Sequence, residues 1–491
     1  MRNAECGIEV RINNFQRSSG SHGLFASIRA NSRLILRVFS VAAFVVVLLL
    51  SPGLGSAQES SLDDVLGGFD DSKAVSKPEP PTEPAQASKV DLNGSVALSL
   101  TSNIHQHQSS SGTDYSGLSR LRFTLDLNLD AKLSKSWDVN VRGRGFYDGA
   151  YSINGRDHYT DQVISSLESE AELREAFIRG KVLPSLDVKL GRQIVVWGKS
   201  DNLRVTDVLN PLDNREPGMV DIEDLRLPLT MARADWYAGK WNVTAIAIPE
   251  IRFNKNPVYG SDFYPSTQTP QEVIPDDGGS NTEYAVALNG ILTGWDISFY
   301  LARIFDDRPS ARFIPPGPPV FEFVHNRVTM AGTAVNVALG NWLLKSEGAY
   351  FSGLQFYALP YRTFERADVL LGVEYTGFNE TTVSLEAVNR HLLDYDEAIS
   401  TAPDSTRQDE VQTAFRFQRD FLNDRVHLML LALTSGWNGR DGKVQRLQVE
   451  YELTDAVALT GGVVNYGSGN RTEFRNIGKN DRVFLEVKYS F

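Results

Sequence analysis

Residues 121–133 read LRFTLDLNLDAKL. Leu121, Phe123, Leu125, Leu127, Leu129, Ala131 and Leu133 are apolar, and Arg122, Thr124, Asp126, Asn128, Asp130 and Lys132 between them are polar. Unbroken period-two alternation describes a strand with one oily face and one wet face. At about 3.3 Å per residue the stretch spans about 40 Å. Strands of soluble domains usually run to about five or six residues. An oily face this tall calls for apolar surroundings equally tall.

The pattern recurs from residue 90 to the end. Alternating segments are joined by short turns at 134–136, 183–185, 238–240, 292–294, 340–341, 377–381, 420–424 and 454–456. Long polar connections fall at 102–117, 148–170, 198–230, 249–282, 305–326, 352–367, 390–408, 435–442 and 466–481. Short and long alternate strictly, as in an antiparallel meander whose turns gather at one end and whose loops gather at the other. Eight short and nine long connections predict eighteen strands; sixteen is the alternative, because 171–182 and 187–197 alternate poorly. This predicts an all-β, transmembrane, up-and-down barrel with short periplasmic turns and long extracellular loops. Trp137, Trp241, Trp295 and Trp342 each open a segment directly after a short turn, where an aromatic belt belongs. The chain ends DRVFLEVKYSF. An alternating last strand closing on Phe491 resembles the signal read by the barrel-assembly machinery, an expected partner along with outer-membrane lipid and lipopolysaccharide.

The N-terminal part reads differently. Residues 38–50, VFSVAAFVVVLLL, are too short for a comfortable membrane helix. Arg33 and Arg37 precede them and Gly55-Ser56-Ala57 follow, which predicts a secretory signal over 1–57, cleaved after Ala57; a retained anchor is the alternative. Residues 1–31 are long and polar for such a signal, so the expected start lies further along. Cys6 falls in the part expected to be removed, leaving no thiol chemistry. Residues 58–89 form an acidic, Pro-rich stretch, expected to be a periplasmic tail and linker ahead of a barrel over 90–491. Residues 1–57 carry six Arg against two Glu while the whole chain is −12, so the rest is near −16. That balance argues against nucleic acid as a partner.

Strand phase predicts what faces inward. Candidate lumen-lining residues include Asp126, Arg142, Arg144, Arg416, Arg446, Glu450 and Glu486. Eighteen strands enclose more space than side chains fill. The connection 198–230 carries Lys199, Arg204, Arg215 and Arg226 against Asp201, Asp207, Asp213, Glu216, Asp221, Glu223 and Asp224. In general porins the third loop folds inward and narrows the pore. A rigid ionic loop suits such a constriction or plug, with Lys199, Asp201, Arg204, Asp207, Asp213, Arg215 and Glu216 as candidates; a lid on the outer surface is the alternative.

The run GRQIVVWGKSDNLRVTDVLNPLDNRE (191–216), the following VDIEDLRLP, and NPVYGSDFYP (256–265) resemble a family of outer-membrane proteins catalogued as a domain of unknown function, DUF1302-like and porin-like. Arg192, Gln193, Trp197, Gly198, Asn210 and Pro211 carry the resemblance. It implies a Gram-negative outer-membrane barrel, with some members linked to sphingosine sensing, and it supplies no substrate.

Enzymatic chemistry has little support. His105 and His107 alternate in a loop, and Asp306-Asp307 and Asp276-Asp277 are too few ligands for a cation site. No zinc spacing or phosphate-binding glycine loop occurs. No cofactor is expected. The expected function is a channel for small solutes across the outer membrane. The alternative is a receptor or carrier for lipid-like amphiphiles, such as sphingosine or a sterol, with a plugged or laterally opening barrel.

Overall fold

The computed structural model describes residues 90–220, 222–265, 271–314 and 320–491. The segments read as a signal and as a linker, 1–57 and 58–89, lie outside the described residues.

Eighteen strands close one antiparallel sheet. They are β1 (Val90–Asn103), β2 (Gly117–Lys132), β3 (Trp137–Asp148), β4 (Ser169–Leu183), β5 (Leu186–Gln193) and β6 (Leu229–Ala238). There follow β7 (Trp241–Ile248), β8 (Glu283–Leu292), β9 (Trp295–Phe305), β10 (Arg327–Leu339), β11 (Trp342–Phe356) and β12 (Leu359–Phe378). The last six are β13 (Thr381–Leu392), β14 (Asp409–Phe421), β15 (Val426–Ser435), β16 (Gly442–Thr454), β17 (Val457–Gly467) and β18 (Arg482–Ser490). Each strand pairs with its neighbour in sequence, and β1 also pairs with β18, from Ser95 opposite Ser490 to Asn103 opposite Arg482. That last pairing leaves the sheet without an edge. Among the described residues no helix is long and apolar enough to cross a membrane; the closed sheet supplies the crossing instead.

Burial is inverted relative to a soluble domain. On β2, Phe123 is 48% exposed, Leu125 36% and Leu127 40%. The polar residues between them turn inward. Trp137, Trp241, Trp295 and Trp342 stand at the short-turn end in phase with the outward apolar residues, as an indole belt at a lipid boundary would. On β2 alternation thus sorts apolar side chains to the outside and polar ones to the lumen.

One connection departs from expectation. Residues 352–367, read as a long polar loop, are the ends of β11 and β12, which continue as a hairpin turning at Tyr357-Ala358. Phe356 and Phe364 pack edge to face, centroids 5.0 Å apart. The polar residues in this stretch masked a ladder that runs beyond the apolar band. Two other long connections contribute a small separate sheet, Ser310–Ile314 with Val320–Val324 and Gln271–Val273.

The outward phase of β2 makes a prediction. Leu125→Arg should destabilise the barrel by about 2–4 kcal/mol, the cost of a charge near the lipid midplane. Thr124→Arg, one residue away and facing the lumen, should cost far less. Urea unfolding in lipid, followed by heat-modifiable gel mobility, reads both.

Candidate functional site

The connection between β5 and β6 folds into the barrel. Its first half lies along the inner faces of β6 to β13. Val195, Trp197, Leu203, Val205 and Leu209 join one apolar cluster with wall residues that include Met231, Ile246, Ile304, Met330 and Phe351. Burying such side chains is worth about 1.5–3 kcal/mol each. Trp197 stacks on Tyr300 with centroids 4.7 Å apart.

Two wall carboxylates grip the loop backbone. Glu347 on β11 accepts the N–H groups of Lys199 at 2.6 Å, Ser200 at 2.8 Å and Thr206 at 3.1 Å, and the Thr206 hydroxyl at 2.8 Å. Glu386 on β13 accepts the Asp201 N–H at 2.9 Å, the Asn202 N–H at 3.1 Å and the Ser200 hydroxyl at 2.7 Å. Glu347 is 2% exposed and Glu386 1%. Buried carboxylates need such donors, and a loop without its own ladder needs such acceptors. Gly198 permits the approach: its φ is +84°, and a Cβ there would lie 2.7 Å from Glu347 Oε1.

The second half of the loop crosses to the opposite wall. Met219 packs with Phe263, Val444, Val464, Tyr466 and Ile477. The Tyr466 hydroxyl donates to the Pro217 carbonyl at 2.7 Å. Gly218, φ +76°, leaves room for Val444, whose Cγ1 would stand 2.5 Å from a Cβ. Glu216 meets Arg120 at 2.5 Å and Arg122 at 3.0 Å. Burial by itself would raise the Glu216 carboxyl, but these two guanidinium groups outweigh it and hold the pKa well below the usual carboxylate range.

The loop therefore fills the apolar half of the lumen and leaves space on the side of β1 to β4 and β18. Three cavities lie there. One of about 370 Å³ is bounded by Arg122, Asp126, Arg144, Arg174 and the loop at Asp213–Met219. A second of about 500 Å³ shares Ser95, Asp126, Arg142 and Lys488 with it. A third of about 690 Å³ opens at the short-turn end, around Asp130 and Asp138. Asn140, which lines the second, donates to Asp130, which lines the third, at 2.8 Å, so the two are neighbours.

Towards the long-loop end this space meets a layer of paired charges. Arg215 holds Asp213 at 2.5 Å and Glu170 at 2.7 Å. Lys255 pairs with Glu170 and also reaches Glu172 at 3.6 Å. Arg252 pairs with Glu172, and Arg192 joins Glu172 at 3.7 Å and Glu250 at 2.5 Å. Arg215 and Glu170 line both the inner cavity and a larger outer one. They stand as a septum between the two.

Below the septum cations and carboxylates line the space together, but among the described residues not every cation has a carboxylate partner. Arg142 and Arg144 share one carboxylate, Asp126, at 3.6 and 2.8 Å. Arg174, 8% exposed, donates to the Asp224 carbonyl at 3.2 Å. Among the described residues no carboxylate pairs with Arg174 or with Lys488.

The sequence-derived candidates fall into three groups. Lys199 pairs with Asp296 at 2.5 Å, Asp201 pairs with Lys345, and Arg204 binds the Asp207 and Asn210 carbonyls at 2.7 and 2.8 Å. Asp207 binds Arg226 at 2.9 Å. These four, on the apolar side, shape and fasten the loop. Asp213, Arg215 and Glu216 face the remaining passage. Of the motif residues, Asn210 accepts from Val195 N–H and donates to the Leu227 carbonyl, both at 2.8 Å, and the Pro211 carbonyl receives Leu227 N–H at 2.7 Å, so together they close the loop base. Gln193 is fully buried, bonded to the Met231 carbonyl at 3.2 Å. Arg416, Arg446, Glu450 and Glu486 point inward from their strands; Glu486 receives the Ser99 hydroxyl and Glu450 that of Thr460 at 3.2 Å. His105 and His107 fasten loops, His105 to Asp481 at 3.1 Å and His107 to the Asp262 carbonyl at 3.2 Å. Glu347, Glu386, Arg174 and the Glu170–Glu172 cluster were not among the candidates. One signal existed: Lys345 and Glu347 are charges at inward positions between Leu343, Ala349 and Phe351, and a charge on an apolar face implies a partner.

A family model described as "Protein of unknown function (DUF1302)" matches residues 38–491. No curated protein matches the chain. Among solved structures, a BenF-like porin from Pseudomonas fluorescens Pf-5 superposes with a TM-score of 0.50 at 11% identity, covering 82% of this chain and 99% of that one. OccAB3 of Acinetobacter baumannii gives 0.49 at 10%, covering 82% and 100%. OccK9 (OpdG) of Pseudomonas aeruginosa gives 0.49 at 11%, covering 82% and 98%. At such identities the likeness to the first is one of fold.

The two anchors can be tested separately from the barrel. Glu347→Ala leaves three N–H groups and a hydroxyl without their acceptor, at about 1–3 kcal/mol for each buried donor left unmade. The loop should become cleavable by trypsin at Lys199 and Arg204 at least tenfold faster, while the barrel keeps its heat-modifiable gel shift.

Proposed function

Because the chain belongs to the DUF1302 family, whose description assigns no substrate, we propose from the geometry that it is an outer-membrane channel for small solutes, with one passage that favours anions. The observation that carries this reading is the loop 198–230 held inside the lumen on Glu347 and Glu386, with adjoining cavities left along the wall of β1 to β4 and β18. A constriction of this kind limits size. Its charged residues set preference.

The preference follows from the charges beside the passage. Arg142, Arg144, Arg174 and Lys488 border space in which Asp126 is the carboxylate that pairs with this group. In a narrow passage flanked by low-dielectric walls, cations that no carboxylate pairs with concentrate anions. Arginine offers planar paired donors to carboxylate or phosphate. A solute moving inward meets Arg215 first, then Arg174 and Arg144, then Arg142 and Lys488. The septum is a set of largely buried ion pairs, so an arriving anion passes only by taking the place of the carboxylate it displaces. Exchange with Glu170 meets that condition, because Glu170 keeps Lys255 and the anion takes Arg215.

The amphiphile-carrier reading has its own support in the ring-lined outer cavity. A wet, charged inner route and an apolar entrance belong to the same path if the solute itself is amphiphilic.

Planar-bilayer recording of residues 58–491 tests the channel. Small, steady openings are expected, with a reversal potential in a KCl gradient that reports chloride preference. Arg215→Ala should enlarge the unitary current. Arg142→Gln, Arg144→Gln and Arg174→Gln together should move the reversal potential towards zero. Silence of both wild type and Arg215→Ala in folded samples would overturn the reading.

A further inference from the structure

Outside the septum the long connections enclose a cavity of about 1070 Å³. Charged side chains, Arg308, Glu410 and Arg471 among them, line part of it. The rings of Tyr259, Tyr264, Tyr357 and Phe474 also line the cavity, together with five prolines. These rings come from different parts of the chain: the connection after β7, the β11–β12 hairpin, and the connection before β18. Each is half-buried, not sealed in a core. Tyr259 and Tyr264 stand edge to face, centroids 5.8 Å apart and planes 89° apart. Tyr357 meets Phe323 at 5.0 Å. Flat rings and prolines around an open space suit a flat apolar body, and the volume is in the range of small-molecule sites.

The floor of the cavity specifies the other end of the ligand. Arg215 lines this cavity and the inner one. Its guanidinium is occupied by carboxylates already, two oxygens of Asp213 and one of Glu170. A ligand carboxylate can take the place of Glu170 with the same geometry. Glu170 keeps Lys255 as a partner when it lets go, so the exchange strands no charge. Beyond it Arg174, which no carboxylate pairs with among the described residues, is the next donor to the anionic end.

We propose that the outer cavity is a capture site for a ring-bearing carboxylate, whose ring rests among Tyr259, Tyr264, Tyr357 and Phe474 while its carboxylate replaces Glu170 on Arg215. The assignment rests on the channel reading above and names its substrate class. It also explains why an apolar entrance precedes a charged passage: the two parts of the solute are recognised in sequence.

The test uses the barrel, residues 58–491, with three probes: 1-naphthoate, acetate and 1-naphthylmethylamine. Naphthoate added at the long-loop side should interrupt the current, with a dissociation constant at least tenfold below those of acetate and the amine. Tyr259→Ala with Tyr264→Ala should raise that constant at least tenfold and leave those of acetate and the amine within twofold. Tyr357→Ala, on a different connection, should weaken naphthoate in the same direction and serves if the double variant fails to fold. Titration calorimetry in detergent reads binding without current. Naphthoate binding by a folded but silent protein would sink the channel and keep the site. A conducting protein that binds naphthoate no better than acetate, or better as its cationic analogue, would overturn the capture site alone.

Discussion

Lipid offers no hydrogen bond to a peptide group, and every other feature of this chain follows from that constraint. A sheet in such surroundings must close, because an open edge would leave a row of bare N–H and C=O groups. β1 meets β18 for that reason. Closure at eighteen strands creates an interior too wide for wall side chains to fill. The protein solves the second problem with its own chain.

The filling is unequal, and the inequality makes the passage. Inward apolar residues of β6 to β13, Met231, Ile246, Ile304, Met330 and Phe351 among them, bury Val195, Trp197, Leu203, Val205 and Leu209 as a soluble core would. Inward residues of β1 to β4 and β18 beside the open space are mostly hydroxyl-bearing or charged. The boundary is held by few groups. Glu347 and Glu386 satisfy the turn at 199–206, and Glu216 reaches Arg120 and Arg122 on the far wall. A loop fixed at both walls can present Arg215 to a solute with little freedom, which is how a constriction discriminates.

The barrel was legible in the sequence because its signal is local. Leu121 to Leu133 alternate on their own, and the short turns repeat at each return. The eighteen-strand count survived the weakly alternating segments because connection lengths, not strand purity, carried it. The hairpin at 352–367 was missed since polar residues occupy a ladder that continues past the lipid. The loop was legible as a motif and as an ionic segment. Its path was not. Lys199 and Ser200 meet Glu347 almost 150 positions later, and Ser200 meets Glu386 further still, and no short-range pattern encodes such pairs. The septum was hidden for the same reason: Glu170, Arg215 and Lys255 come from three connections or strand ends far apart in the chain. Alternation told which residues face inward. It could not tell which half of the lumen is packed and which half is open.

The central claim is that the loop crosses the lumen from one wall to the other. A designed disulfide between Gly218→Cys and Val444→Cys, with Cys6→Ser, tests it most directly. The close approach of these two positions is within reach of an S–S bridge. Oxidation of the folded protein should form the bridge in high yield, seen as a shifted band on a non-reducing gel that reductant restores. Free thiols that stay open to a bulky maleimide under the same conditions, in a barrel that remains folded, would place the loop away from the far wall and contradict the account.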